Sequence, residues 1–497
     1  MNIAHHFPVL LFVVPVAAAA TLQIIGKIRR EYCFYWATAA ISICAFMSTV
    51  LVWKVYKTGP ISYVVGGWER WFGIEIYFDH ISACALLISA LGLLIIIFSK
   101  QYIEKEIDER KIPVYYTLIL LNLAGMLGFV ITGDLFNIFV MMEILSLSGY
   151  ALVAIGEEKI AQLAAFKYLV LGAVSSLAIL MAIGFLYSIT GSLNMREIAL
   201  YLPKATSHTP VAIIAFALFV MGFSVKAALF PLHVWLPDAH AIAPTPVSAL
   251  LSGLVVKIGV CGLLRILLIY RYTGGLIDVK PVLNIISWLA AITIVVGAFF
   301  AVFQDDIKMM LAYSTVSNIG YIFLGLSLVQ TNALVGGINH IFNHAIIKVL
   351  LFMGAGAIIH QTGHRRLSDL HGIARKMPIT TGCLSIGIVS IVGIPPTNGF
   401  VCKWLIAIGA MQAGKPLFAA ALLFGALFIF AYYIKIINAA YFREPREEYK
   451  KMDEAPLTML VPIIILAVAC LVFGIGASIP LTFIKPVAKG LLSVTVR

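Results

Sequence analysis

Charge is scarce in this chain. Asp, Glu, Lys and Arg together supply 12% of its 497 residues, about half the share of an ordinary soluble domain, so no large water-facing body is evident. Nucleotide and nucleophile signatures are missing too: there is no Walker A loop, Rossmann fingerprint or nucleophile elbow in a suitable context. That argues against a pump driven by an ATPase of its own. The seven cysteines, Cys33, Cys44, Cys84, Cys261, Cys383, Cys402 and Cys470, are scattered and form no C-x-x-C pair. Iron–sulfur, haem and structural zinc readings therefore fail on spacing, and the cysteines are read as small core hydrophobes. Nor is a basic stretch interleaved with aromatics in a soluble region. The net charge of +12 is accounted for by a few loops and by lysines inside apolar runs, so nucleic acid is not an expected partner.

What the chain has is apolar length. Hydrophobic residues make up 61% of it, and fourteen candidate spans fall at about 7–25, 32–53, 80–99, 114–132, 134–155, 161–190, 209–229, 245–270, 281–303, 308–329, 334–360, 378–411, 416–439 and 456–484. This predicts an all-α, multi-pass membrane protein. The first run follows MNIAHHFP, with no Lys or Arg, and precedes Lys27, Arg29 and Arg30, the reverse of a secretory signal, so it is expected as a retained helix. Basic clusters at Lys27–Arg30, Lys100–Lys111, Arg365–Lys376 and Arg443–Lys451 fall in alternate loops. The positive-inside rule then puts both termini outside a cell membrane. Residues 54–79, with Gly59-Pro60, Gly66-Gly67 and the alternating GIEIYF, read as an external β-hairpin.

The charges that do enter the apolar runs recur in order. Met142-Glu143 to Tyr150 precedes AAFKYLVLGAVSS around Lys167, then Lys226 and Lys257; YSTVSNIGY, ending at Tyr321, precedes AIIKVLLFMGAGA around Lys348, then Lys403 and Lys435. The steps are 59 and 31 positions in the first series and 55 and 32 in the second. An ammonium in hydrocarbon costs several kcal/mol and points to function, so a duplicated series points to two charge-handling units in tandem. Prolines lie beside a lysine in each: Pro231, Pro237, Pro244 and Pro246 after Lys226, and Pro395-Pro396 before Lys403. Broken helices at membrane depth are tolerated where they line a cavity, and transporters build ion sites there.

Glu143 lies mid-span, and Lys226 is its expected partner, the pair acting as a switch that holds or frees a proton. Lys257, about a dozen residues from each end of its span, is too deep to snorkel and reads as a central relay. His340, His344 and Lys348 repeat every four residues and so share one helical face. Two such histidines also suit zinc, but no third ligand is apparent, and imidazole exchanges protons near neutral pH, so a proton wire is the expected role. Lys167 and Lys435 are expected to face a channel, and His240 to feed it. Asp134, Asp238 and His233, at span ends, read as solvated loop residues.

Three long motifs then resemble one family: VKAALFPLHVWLPDAHAIAPTPVSALLSGLVVK at 225–257, FNIFVMMEILSLSGYALVA and DDIKMMLAYSTVSNIGYIFLG. They are similar to the antiporter-like subunits shared by respiratory complex I, Mrp sodium/proton antiporters and membrane-bound hydrogenases, over about residues 75–440. The resemblance implies inverted five-helix repeats at 114–270 and 281–439; from the residues, three N-terminal helices and the hairpin are expected over 1–113, breaks in the seventh and twelfth spans, and a loop and last span over 440–497. It implies no redox cofactor and no metal in this subunit, partner membrane subunits of related type, and a proton path through Glu143, Lys226, Lys257, His344, His340, Lys348 and Lys403. The family has lysine or glutamate at the position of Lys403. A long lateral helix, carried by the longest members, is not expected. Aligning Tyr150 with Tyr321 puts Ser314 where Glu143 stands, so the second unit lacks that carboxylate. A sodium/proton exchange unit on the same fold is the alternative; a catalytic oxidoreductase chain, lacking any cofactor fingerprint, is disfavoured.

Overall fold

The structure, a computed structural model, describes residues 3–70, 73–156, 159–205 and 208–492. Long apolar helices dominate because a chain in hydrocarbon must satisfy its own backbone groups. Four helices come first: α1 (Phe7–Ile28), α2 (Glu31–Thr58), α3 (Cys84–Glu106) and α4 (Ile112–Ile131). Next are α5 (Leu135–Ala154), α6 (Lys159–Thr190), the short α7 (Met195–Tyr201), α8 (Thr209–Ala227) and the short α9 (Trp235–Ile242). The span Thr245–Arg271 is continuous but not uniform: α10 (Thr245–Leu250), a π-helical turn (Leu251–Val255) and α11 (Val256–Arg271). The second half has α12 (Lys280–Val302), α13 (Ile307–Ser327), α14 (Thr331–Thr362), α15 (Pro378–Val392), α16 (Asn398–Gln412) and α17 (Pro416–Phe442). The last two are α18 (Leu457–Ile475) and α19 (Ser478–Leu492).

Among the described residues, thirteen helices are long and apolar enough to cross a membrane. The multi-pass, all-helical expectation is met, with one difference in kind. The run 378–411 is not one span but two helices of 15 residues each, α15 and α16, parted at Gly393–Thr397. Proline at 395 and 396 removes two backbone donors there and stops the ladder. The run 456–484 also divides, at Gly476, into the crossing helix α18 and the amphipathic α19.

The hairpin pairs β1 (Ile61–Val64) with β2 (Glu75–Phe78) in antiparallel register, Ile61 opposite Phe78. It is pinned to the bundle by a buried carboxylate. Glu75 accepts hydrogen bonds from Ser62 (2.5 Å) and from Asn194 (2.7 Å), the residue that caps α7, and Arg70 and Arg196 lie within 3.6 and 3.4 Å. Burial by itself would lift this carboxyl, but those hydrogen bonds and the two guanidinium charges outweigh it and hold Glu75 below its ordinary value. On the same side, Arg265 of α11 pairs with Asp79 at 2.5 Å and donates to Ser82 and the Val130 carbonyl.

Two acidic caps start equivalent-looking helices. Asp134 accepts from Asn137 N at the start of α5, and Asp306 from Lys308 N and Met309 N at the start of α13. Each cap residue also forms an isolated β-bridge to the loop after the next helix, Asp134 to Asn194 and Asp306 to Arg366. Close helix contact is set by small residues. A Cβ at Gly297 would stand 2.6 Å from Ser317 N, and one at Gly320 2.7 Å from the Ala290 carbonyl, so α12 and α13 approach at a distance only glycine permits.

Candidate functional site

The site begins where α8 stops. Ala228 takes the left-handed conformation (φ 59°), and the chain turns through 228–234 before α9. Trp235 repairs part of the break by donating its indole N–H to the Val225 carbonyl at 2.9 Å, and its ring stacks on Tyr168 at 4.0 Å. Lys226, buried in the last turn of α8, is thus held beside a helix C-terminus, where a cation is favoured. Its ammonium donates to Ser146 Oγ (2.8 Å) and Tyr150 Oη (3.3 Å) and lies 5.8 Å from the Tyr150 ring centre.

Glu143 is not in direct contact with it. No Glu143–Lys226 ion pair within 4 Å is present among the described residues; Ser176 of α6 donates to Glu143 Oε1 instead. Ser146, one turn along α5 from Glu143, takes the ammonium. The expected pair is therefore corrected to a relay of two hydroxyls and a nearby carboxylate, still close enough for its charge to act on Lys226.

The central group gathers around the π-helical turn. Lys257, two residues past this turn, donates to the carbonyl of Ser252 within it. Ser252 Oγ in turn bonds Thr315 of α13 at 2.7 Å. Facing it on α14, His340 and His344 stack at 5.4 Å, as their four-residue spacing predicts. His340 is bonded at both nitrogens, to Cys402 Sγ (3.0 Å) and Asn318 Oδ1 (3.1 Å), while neither nitrogen of the fully buried His344 has a protein partner. Lys348 donates to the Leu311 carbonyl at 2.9 Å. Cys402 is thus more than the core hydrophobe its composition suggests.

Lys403 closes the row. It sits on α16 but reaches back across the break to the last-turn carbonyls of α15, Ile391 (2.5 Å) and Val392 (3.4 Å), and lies 4.7 Å from the Tyr321 ring centre. Ser314, at the position aligned with Glu143, bonds Tyr433 at 3.1 Å.

Two flanking lysines fall outside this row. Lys167 is half exposed and pairs with Asp238 at 2.6 Å, and Lys435 is exposed, donating to the Val302 carbonyl. Their helices turn them away from the interior, so the channel-facing expectation is corrected for both. Asp134 serves as a cap; burial lifts its carboxyl above the ordinary range, against the pull of the Asn137 and Phe136 backbone N–H groups. His233 is buried rather than solvated, as is His240, whose ring nitrogens both lack protein partners.

One buried cation was not singled out from the sequence. Lys308, 4% exposed, donates to the Ala243 carbonyl just after α9, and Arg365 donates to Ala241 O at 2.6 Å. Asp306, two residues earlier, is taken by Arg365 at 2.7 Å, leaving the Lys308 ammonium without a carboxylate within 4 Å among the described residues. Its ammonium acts electrostatically on His240, as do those of Lys257 and Lys348. The motif DDIKMM carried the signal: Lys308 stands at the first position of the expected span 308–329.

A multi-pass helical bundle that buries a file of amines and imidazoles between two broken helices defines an antiporter-like membrane subunit. The chain belongs to the NADH:quinone oxidoreductase/Mrp antiporter transmembrane family, whose profile matches residues 132–429. It is 35% identical over 484 residues to NADH-quinone oxidoreductase subunit N of Desulforudis audaxviator (strain MP104C), covering 95% of this chain and 96% of that one. It is 28% identical over 491 residues to a Na(+)/H(+) antiporter subunit of Bacillus subtilis (strain 168), with 98% of each covered. Among solved structures, a chain of the archaeal membrane-bound sulfane sulfur reductase superposes with a TM-score of 0.90 at 30% identity, over 98% of both chains. A chain of the Mrp complex from Dietzia sp. DQ12-45-1b gives 0.89 at 25% identity, over 100% of this chain and 98% of that one.

Proposed function

We propose that this chain is a proton-translocating subunit of a multisubunit membrane complex, of Mrp antiporter or respiratory type. Protons pass along Glu143, Lys226, Lys257, His344, His340, Lys348 and Lys403. The observation that carries the reading is how the lysines are held. All four are buried or nearly so, yet their ammonium groups rest on hydroxyls and backbone carbonyls rather than on paired carboxylates. A structural buried cation is normally paired; one that must release its proton is better served by neutral acceptors. The unpartnered rings of His344 and His240 are polar groups around which water is stable in a buried site.

Lys308 and His240 form the entrance on the face opposite the hairpin. On this reading residues 114–270 and 281–439 are two units of opposite orientation, since their acidic caps, Asp134 and Asp306, start helices from opposite faces by the count of crossings. The Lys/Arg-rich loops share the face opposite the hairpin, so both termini lie outside the cell membrane. Related membrane subunits are the partners, by analogy with the complexes in which the similar chains reside. A sodium/proton exchange role draws on Glu143, a half-buried carboxylate capable of taking a cation.

The test is proton movement by the assembled complex in sealed vesicles. His344→Gln keeps hydrogen bonding without titration and is expected to assemble, hold no less metal than the parent, and slow proton movement by about tenfold or more. Full-rate transport by that variant, or loss of one tightly bound zinc, sinks the relay.

A further inference from the structure

On the hairpin side of the bundle, away from the lysine row, a cavity of about 480 Å³ opens between α2, α3, α11, α14, α18 and α19. Of its lining, His80 at one end is the only group with a strongly polar side chain; the rest is apolar, including Leu87, Ile341, Phe342, Ala469 and Phe483. Water needs two to four polar partners to settle in such a place, and this site does not offer them. The size falls within the ordinary range of small-molecule sites, about 300–1,000 Å³.

Its shape narrows the occupant further. Along α3 the lining runs from Ala83 to Leu94, which at 1.5 Å per residue is about 16 Å. That is half of a hydrocarbon core of about 30 Å, the depth of one leaflet. The slot opens sideways where lipid lies: Ala90 is exposed, and Ile465 and Ile479 are 47% and 50% exposed. At its hairpin end lies α19, with an apolar face (Pro480, Ile484, Val487) turned inward and Lys485 and Lys489 exposed on the other. That is the pattern of a helix lying at the headgroup level, where cations meet phosphate.

We propose that this slot is a binding site for one acyl chain of a phospholipid in the hairpin-side leaflet, its phosphate end beside α19. The chain lies against the face of α14 away from His344 (Ile338, Ile341, Phe342 and Ile346), and so fills the space behind that helix with hydrocarbon. This proposal does not depend on the proton reading.

The experiment uses the assembled complex and a phosphatidylglycerol with a photoactivatable diazirine near the end of one acyl chain, with peptide mapping of the adducts. Adducts are expected on α3, α14 and α18 at the slot, and an excess of unlabelled phosphatidylglycerol should remove them. In Ala90→Phe/Ala469→Phe, which fills the slot, they should fall about tenfold while adducts on the outer perimeter persist. If that variant does not assemble, the competition in the parent complex decides. Slot labelling no higher than the perimeter, labelling that resists competition, or labelling only by a diazirine-bearing isoprenoid quinone overturns the assignment.

Discussion

Lys226 stands one residue from the end of α8, ahead of its break, and Lys403 stands beyond a break, reaching back to carbonyls of the helix before it. Both ammonium groups thereby lie at a helix C-terminus, both beside a tyrosine ring at aligned positions, Tyr150 and Tyr321. Both breaks include a cis proline bond, Phe230–Pro231 and Pro395–Pro396. The surroundings differ. Lys226 rests on two hydroxyls with Glu143 nearby, whereas Lys403 rests on backbone oxygens, and the aligned Ser314 is bonded to Tyr433. The first lysine thus has a carboxylate in its neighbourhood, and the second has the carbonyls of a helix end.

The comparison breaks most readily at the lysines. Lys226→Ala and Lys403→Ala are each expected to lower proton movement about 100-fold in sealed vesicles, the scale of losing a positioned proton donor, while exposed Lys105→Ala leaves it unchanged. A complex that transports normally with only one of the two lysines ends the case for equivalent stations.

Glu143→Gln tests the asymmetry, because it keeps the hydrogen bond from Ser176 and removes the charge. Transport should drop about tenfold, with assembly intact. An equal loss from Ser314→Ala would show that the two positions are more alike than their chemistry suggests.

Lys308 offers a finer discrimination. Arginine stays protonated in proteins, so Lys308→Arg preserves a cation for Ala243 O and removes the titration. Assembly at parental levels with transport reduced several-fold, about 1 kcal/mol in barrier, is expected; full-rate transport reduces Lys308 to a helix cap.

The smallest effect belongs to the hairpin. Glu75 is held below its ordinary value, so its contribution is fully present above the unfolded value of about 4.3 and is lost as pH falls through the folded one. Hydrogen exchange of the β1–β2 amides should accelerate in that acid window, and Glu75→Gln should remove the pH dependence at a cost of about 1 kcal/mol or less, since both arginines are half exposed. Proton movement at neutral pH should not change.

Much of this molecule was legible in its residues, for physical reasons that also set the limit. Apolar runs near 20 residues fix the spans, and the four-residue spacing of His340, His344 and Lys348 puts them on one face. Period alone gave no sign of the π-helical turn at Leu251–Val255, since one extra residue per turn leaves an all-apolar pattern unchanged. Ser146, Tyr150 and Ser176 looked like ordinary span residues because their role depends on α5, α6 and α8 meeting. Lys167 and Lys226 both belong to the recurring lysine series; the packed helices show that one pairs with Asp238 at the surface and the other is buried.

The carbonyls at irregular helix positions carry one more consequence. Ser252 in the π-helical turn and Ile391 and Val392 at the break after α15 present oxygen atoms of the kind that coordinate bare alkali ions, and in each case a lysine already occupies them. Each lysine is in effect a tethered cation, filling the socket that a free ion would take.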